Sequence, residues 1–114
     1  MSDCLFCKIV VGEIPADVVL DREDILGFRD VNPQAPTHIL LIPKAHVRDV
    51  SELDASSGPL LAELIGAANE LARSEGIAES GYRVVANVGP DAGQTVFHLH
   101  VHLLGGRGMA WPPG

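Results

Sequence analysis

The strongest constraint on this chain is a seven-residue stretch near its end, His98-Leu99-His100-Val101-His102-Leu103-Leu104. Histidine and aliphatic residues alternate there without a break. Successive side chains of a strand point to opposite faces. The spacing therefore predicts a strand with Leu99, Val101 and Leu103 in the core and His98, His100 and His102 along the opposite face. Neighbouring histidine Cα atoms on such a strand lie roughly 6.5–7 Å apart. A row of imidazoles on a rigid element, aimed one way, calls for a sheet around it and a chemistry to serve.

The rest of the pattern supplies the sheet. Residues 18–22 and 25–29 read as two short strands, with Glu23-Asp24 as the tight turn of a hairpin. Residues 30–37 hold two prolines and an Asn and read as a loop. Residues 38–42 form a strong strand stopped by Pro43. Pro59 suits a helix first turn. After it Leu60, Leu61, Leu64, Ile65, Ala68, Leu71 and Ala72 recur with helical spacing, and Gly76 is a stop. Residues 82–88 read as a strand, 89–94 as a turn-rich loop and 95–104 as the histidine strand. The expected architecture is α+β: a five-stranded antiparallel sheet with one main helix on one face. At 114 residues the chain fits one domain, 1–114.

Composition narrows the function. A net charge of −7 argues against a general binder of nucleic acid or anionic membrane, since both need a basic face. It leaves room for one small phosphate compound, which needs only local donors. No run of about 18 apolar residues is present, so no transmembrane helix is expected. Met1-Ser2-Asp3-Cys4 lacks a basic leader, and two cysteines do not make a disulfide scaffold. A cytoplasmic, reducing setting follows as the expectation.

Three roles are open to the histidine row. Two imidazoles at i and i+2 can share a zinc ion, although the outer pair, roughly 13 Å apart, cannot. Imidazole also serves as a general acid or base near neutral pH. Its free nitrogen can attack phosphorus to form a covalent intermediate. The preceding loop, with Gly89, Gly93 and the polar Asn87, Gln94 and Thr95, lets backbone amides approach an anion. Cys4-Leu5-Phe6-Cys7 admits zinc ligation, redox chemistry or two small buried residues. His38 reads as a hydrogen-bonded structural histidine. Trp111 packs at a subunit contact, edges the site or covers the chain end.

The triad stretch resembles the His-φ-His-φ-His-φ-φ signature of the histidine triad superfamily. Gly12-Glu13-Ile14-Pro15, Phe28-Arg29-Asp30, Pro33-Gln34-Ala35-Pro36-Thr37-His38, Ile42-Pro43-Lys44-Ala45-His46, Gly93-Gln94-Thr95-Val96-Phe97, Leu104-Gly105-Gly106-Arg107 and Trp111-Pro112-Pro113-Gly114 resemble its Hint branch. The resemblance implies a homodimer with a sheet continuous across the subunits. It implies hydrolysis of purine nucleoside 5′-phosphoramidates, typically adenosine's, through a nucleotidyl-histidine. His100 is then the nucleophile, His102 binds the phosphate oxygens and Thr95 hydrogen-bonds near the leaving group. Asn87, Gly93 and Val96 line the phosphate end, Asp30 holds the ribose hydroxyls, and Phe28 and Val31 border the base. Some bacterial Hint-like proteins, and galactose-1-phosphate uridylyltransferases, pair Cys-x-x-Cys with two histidines. Carried over, Cys4, Cys7, His46 and His98 form a closed structural zinc shell, and no catalytic metal is required. Other Hint members lack these cysteines. Three alternatives stand beside this reading: a dinucleoside polyphosphate hydrolase, a zinc hydrolase or lyase using the histidine row, and a nucleotide sensor with little turnover.

Overall fold

The expected hairpin forms from β1 (Val18–Asp21) and β2 (Ile25–Arg29), paired antiparallel. The structure, a computed structural model, describes residues 3–114; residues 1 and 2, part of the N-terminus read above for a leader, lie outside it. β3 (Thr37–Pro43) pairs with β2 through residues 39–43 and with β5 (Val101–Gly105) on its other side. β4 (Tyr82–Val85) closes the sheet, whose order is β1-β2-β3-β5-β4, all antiparallel. Among the described residues, no helix is long and apolar enough to cross a membrane.

Alternation along β3 sorts the two faces. Ile39 and Leu41 point to one side and meet α2 (Gly58–Ser74) through Leu64, Ala67, Ala68 and Leu71. Leu99, Val101 and Leu103 join the same core, each almost fully buried. Burying such a side chain contributes about 1.5–3 kcal/mol, so this layer carries much of the fold's stability. Leu40 and Ile42 point to the other side, where Phe6, Leu26 and Phe28 form a second cluster. Phe6 belongs to α1 (Leu5–Val10), a six-residue helix absent from the sequence expectation. Six residues are too few for a helical pattern to register, and too few for a helix to persist without packing. Its N-cap is Cys4, whose Sγ accepts from the Cys7 N–H at 3.3 Å.

Two further contacts set the geometry. Arg29 donates to both carboxylate oxygens of Glu75, at 2.8 and 2.9 Å, and so ties β2 to the end of α2. Gly105 lies directly beneath Ile77, and a Cβ there would collide with that side chain. The histidine strand is shorter than expected: the ladder begins at Val101, not Thr95. The backbone before it bonds elsewhere. The Leu99 N–H donates to the Val47 carbonyl at 2.5 Å, and the His98 carbonyl accepts from a ring rather than from a strand. The face alternation survives regardless, with Leu99 in the core. β1 and β4 likewise end short of Arg22 and Val88.

Candidate active site and thiol–imidazole cluster

Three backbone contacts fix the tautomers of the histidines. A carbonyl can only accept, so a ring nitrogen facing one carries the proton. His100 Nδ1–H donates to the His98 carbonyl at 2.7 Å, which leaves Nε2 with its lone pair. His98 Nε2–H donates to the Pro43 carbonyl at 2.8 Å, which leaves Nδ1 unprotonated. The third contact runs the other way: the Gln34 N–H donates to His38 Nδ1 at 3.0 Å, so the proton of neutral His38 is on Nε2. That Nε2–H reaches His102 Nδ1 at 2.9 Å, with an Asp30 carboxylate oxygen 3.4 Å away. His102 is thereby the Nε2–H tautomer. Its Nε2 is buried and has no hydrogen-bond partner among the described residues.

An unprotonated Nε2 on His100 and a donating Nε2 on His102 therefore stand side by side, with ring centroids 4.9 Å apart. Burial, first of all, pushes the pKa of His102 down to about 4; His100 and His38 push the same way and Asp30 opposes them. Burial also lowers His38, against the pull of Asp30. Both rings are thus neutral at pH 7, and His102 offers a donor without a charge. A buried donor without a protein acceptor is costly unless a ligand takes it.

The two rings open into a cavity of about 420 Å³. Phe28, Asp30, Val31, Thr95, Val96, His100 and His102 all line it. Phe6, Leu5 and Ile9 of α1 complete its apolar wall. Phe6 stands edge-on to His100 at 5.2 Å and to Phe28 at 5.3 Å. Val31 is 99% exposed and borders the mouth. Asp30 is oriented from behind, one oxygen accepting the Asn32 N–H at 2.9 Å. Asn87 instead lines a neighbouring cavity beside Trp111, and Gly93 lines neither. Gly93, at φ +87°, closes the turn that carries Thr95 and Val96 to the cavity edge.

Two functional roles escape the sequence. His38 is the hydrogen-bonded structural histidine expected, and it also sets the tautomer of His102. The register pairs Leu40 with His102 and His38 with Leu104, which makes His38 the diagonal neighbour of His102. Phe6 was hidden between the two cysteines. Neither is visible before the strand pairing and the helix are known.

The remaining predicted residues meet on the far side of α1. Cys4, Cys7, His46 and His98 each present a ligand atom, and all four atoms lie within 4.8 Å of one another. His98 Nδ1 lies 3.2 Å from Cys4 Sγ and 3.5 Å from Cys7 Sγ, and His46 Nδ1 lies 3.4 Å from Cys7 Sγ. Burial, above the other causes, lowers the pKa of His98 and raises that of the Cys7 thiol. The free lone pair of His98, fixed by Pro43, faces the two sulfurs, which is the arrangement a metal requires of a histidine ligand. This set could hold a metal ion. One helix turn thus separates the cluster from the cavity.

The HIT domain family model matches residues 11–109. The 14 kDa zinc-binding protein of Zea mays is 50% identical over 115 residues, covering 99% of this chain and 89% of the relative. The adenylylsulfatase HINT1 of Arabidopsis thaliana is 48% identical over 117 residues, covering 99% of this chain and 78% of the relative. A crystal structure of a HIT family hydrolase from Legionella pneumophila superposes with a TM-score of 0.96 at 54% identity, covering 98% of this chain and 100% of that one. With its histidine row, its cavity and a family match across most of its length, the chain belongs to the HIT domain family.

Proposed function

We propose that this protein hydrolyses purine nucleoside 5′-phosphoramidates through a covalent nucleotidyl-His100. The observation that carries the reading is the pairing of the His100 Nε2 lone pair with the buried, unpartnered His102 Nε2–H at one cavity wall. In the first step His100 Nε2 forms a bond to the α-phosphorus as the phosphorus–nitrogen bond breaks, and the leaving nitrogen takes a proton from solvent water and departs as the amine. His102 Nε2–H donates to a non-bridging oxygen, where charge grows in the transition state. Thr95 stands at the leaving-group side. In the second step water attacks phosphorus and gives up a proton to solvent, the histidine–phosphorus bond breaks to restore the Nε2 lone pair, and the nucleoside monophosphate departs. Asp30 accepts from the ribose hydroxyls. The apolar wall of Phe6, Phe28 and Val31 takes the base. Asn87 and Gly93 act at the phosphate end only through their loop.

The same reading assigns Cys4, Cys7, His46 and His98 to a structural zinc ion. The donor set suits it: two sulfurs and two imidazole Nδ1 atoms converge, and Pro43 orients one ring from behind. Zinc held by these four residues would supply a structural cross-link between α1 and the segment that carries His98 and His100. The zinc-binding relative in maize supports this assignment. The chain acts as one domain, 1–114, in the cytoplasm, and pairs as a homodimer through β4, one of the two edge strands of the sheet.

Fluorogenic adenosine 5′-phosphoramidate tests the reading. Turnover is expected to survive EDTA and to vanish in His100→Ala. Retained activity in His100→Ala would falsify covalent histidine catalysis. Loss on chelation with the fold intact would point to a metal hydrolase. A folded protein that binds AMP without turnover would be a sensor. Adenylyl sulfate is a second substrate to assay, because the activity named for the Arabidopsis relative is that of an adenylylsulfatase.

A further inference from the structure

Gln94 is buried, 5% exposed, in a loop whose Asp91, Ala92, Gly93 and Thr95 are open to solvent. A buried carboxamide needs partners at both ends, and this one has them. The Gly89 N–H donates to its Oε1 at 2.8 Å. Its Nε2 donates to the carbonyls of Arg48 at 3.1 Å and Val96 at 3.2 Å. The Gln94 N–H adds a bond to the Gly89 carbonyl at 3.1 Å. The side chain thus closes residues 89–96 from inside and pins them to the segment that ends at Arg48. The pinned segment also carries Val47, whose carbonyl takes the Leu99 N–H between His98 and His100. One carboxamide therefore links the loop to the backbone that presents the histidines.

The loop has something to present as well. Thr95 and Val96 line the cavity beside His100 and His102. Neither backbone N–H donates to a protein acceptor among the described residues. We infer that Gln94 is a positioning residue, holding the Thr95–Val96 amides in register with His100 and His102 around one phosphate group. It touches no substrate itself. The inference rests on the nucleotide reading above, and it names the residue that makes the loop a phosphate cradle rather than a plain turn.

A purely space-filling role and a positioning role diverge in what they cost. Gln94→Met keeps the volume and removes all three side-chain bonds. Gln94→Glu keeps an acceptor for Gly89 but sets an oxygen against two carbonyls. Affinities for AMP and for adenosine, which lacks the phosphate, are compared by calorimetry. Both variants are expected to lose about ten- to hundred-fold in AMP affinity, the worth of charge-assisted bonds, while adenosine binding stays within about two-fold. Equal losses for both ligands, or an unchanged preference for AMP, would overturn the assignment. Wild-type amide spectra give an answer even where a variant fails to fold. AMP, but not adenosine, is expected to shift the Thr95 and Val96 N–H resonances, and unmoved resonances would overturn the assignment. A wild type that binds adenosine as tightly as AMP would remove the nucleotide reading itself; a wild-type preference kept by both variants removes only the role of Gln94.

Discussion

His38 shows how one proton position is fixed from a distance. The Gln34 N–H holds its Nδ1, so its Nε2–H must serve His102, and His102 must in turn point its own N–H into the cavity. His38→Ala removes the donor and frees His102 to take the wrong tautomer. Its turnover is expected to fall about ten- to hundred-fold, the usual scale for a residue that orients a ligand-binding imidazole. Steady-state kinetics on the phosphoramidate check this, and an unchanged kcat would discard the relay. The same burial gives stability a pH dependence. The His102 pKa lies near 4 in the fold, below the ordinary value of about 6.5 in the unfolded chain. The unfolded state then binds more protons between these values, so the His102 contribution is complete above pH 6.5 and is lost as pH falls toward 4. His38 is shifted in the same direction. Thermal midpoints from pH 7 to 4.5 should fall, and His102→Asn should flatten the slope.

At the level of elements, the five strands and α2 are legible in the sequence, and α1 is not. β2, β3 and α2 follow from their apolar runs and punctuation, and their register then buries Ile39, Leu41 and Leu103 together. α1 has too few residues to show a period, and nothing in the pattern around Phe6 marks it as buried. The stretch from Thr95 to His100 carries a strand's alternation without a strand's ladder, because its backbone bonds to Val47 and to a histidine ring. The candidate site divides in the same way. His100 and His102 stand out by spacing alone, whereas His38 depends on a diagonal contact that exists only once β3 and β5 are in register. Close packing at the end of β5 gives a sharp element-scale test. Gly105→Ala forces a methyl group into Ile77, and the overpacking should cost about 1–3 kcal/mol. Urea unfolding measures it, and Ile77→Val in the same chain should recover part of the loss.

At the scale of the whole molecule, the sheet separates a stability layer from a chemistry layer. α2 covers one face, and α1, the cavity and the thiol–imidazole cluster occupy the other. β4 leaves an open edge with Val84 38% exposed, and Trp111 is 83% exposed nearby. Open edges are normally paired or blunted. Sedimentation is expected to give twice the 12.1 kDa chain mass, and Val84→Lys should shift the particle toward the monomer; a wild-type monomer would remove the continuous-sheet dimer. The first helix has a further consequence, one of timing. It precedes every strand of the sheet in chain order and is among the last elements to be seated, since Cys4 meets His98, 94 positions downstream, and Phe6 meets His100. Throughout most of synthesis its two thiols stay open to oxidants and stray metals. Reducing conditions during synthesis should therefore help to deliver both thiols intact to His46 and His98.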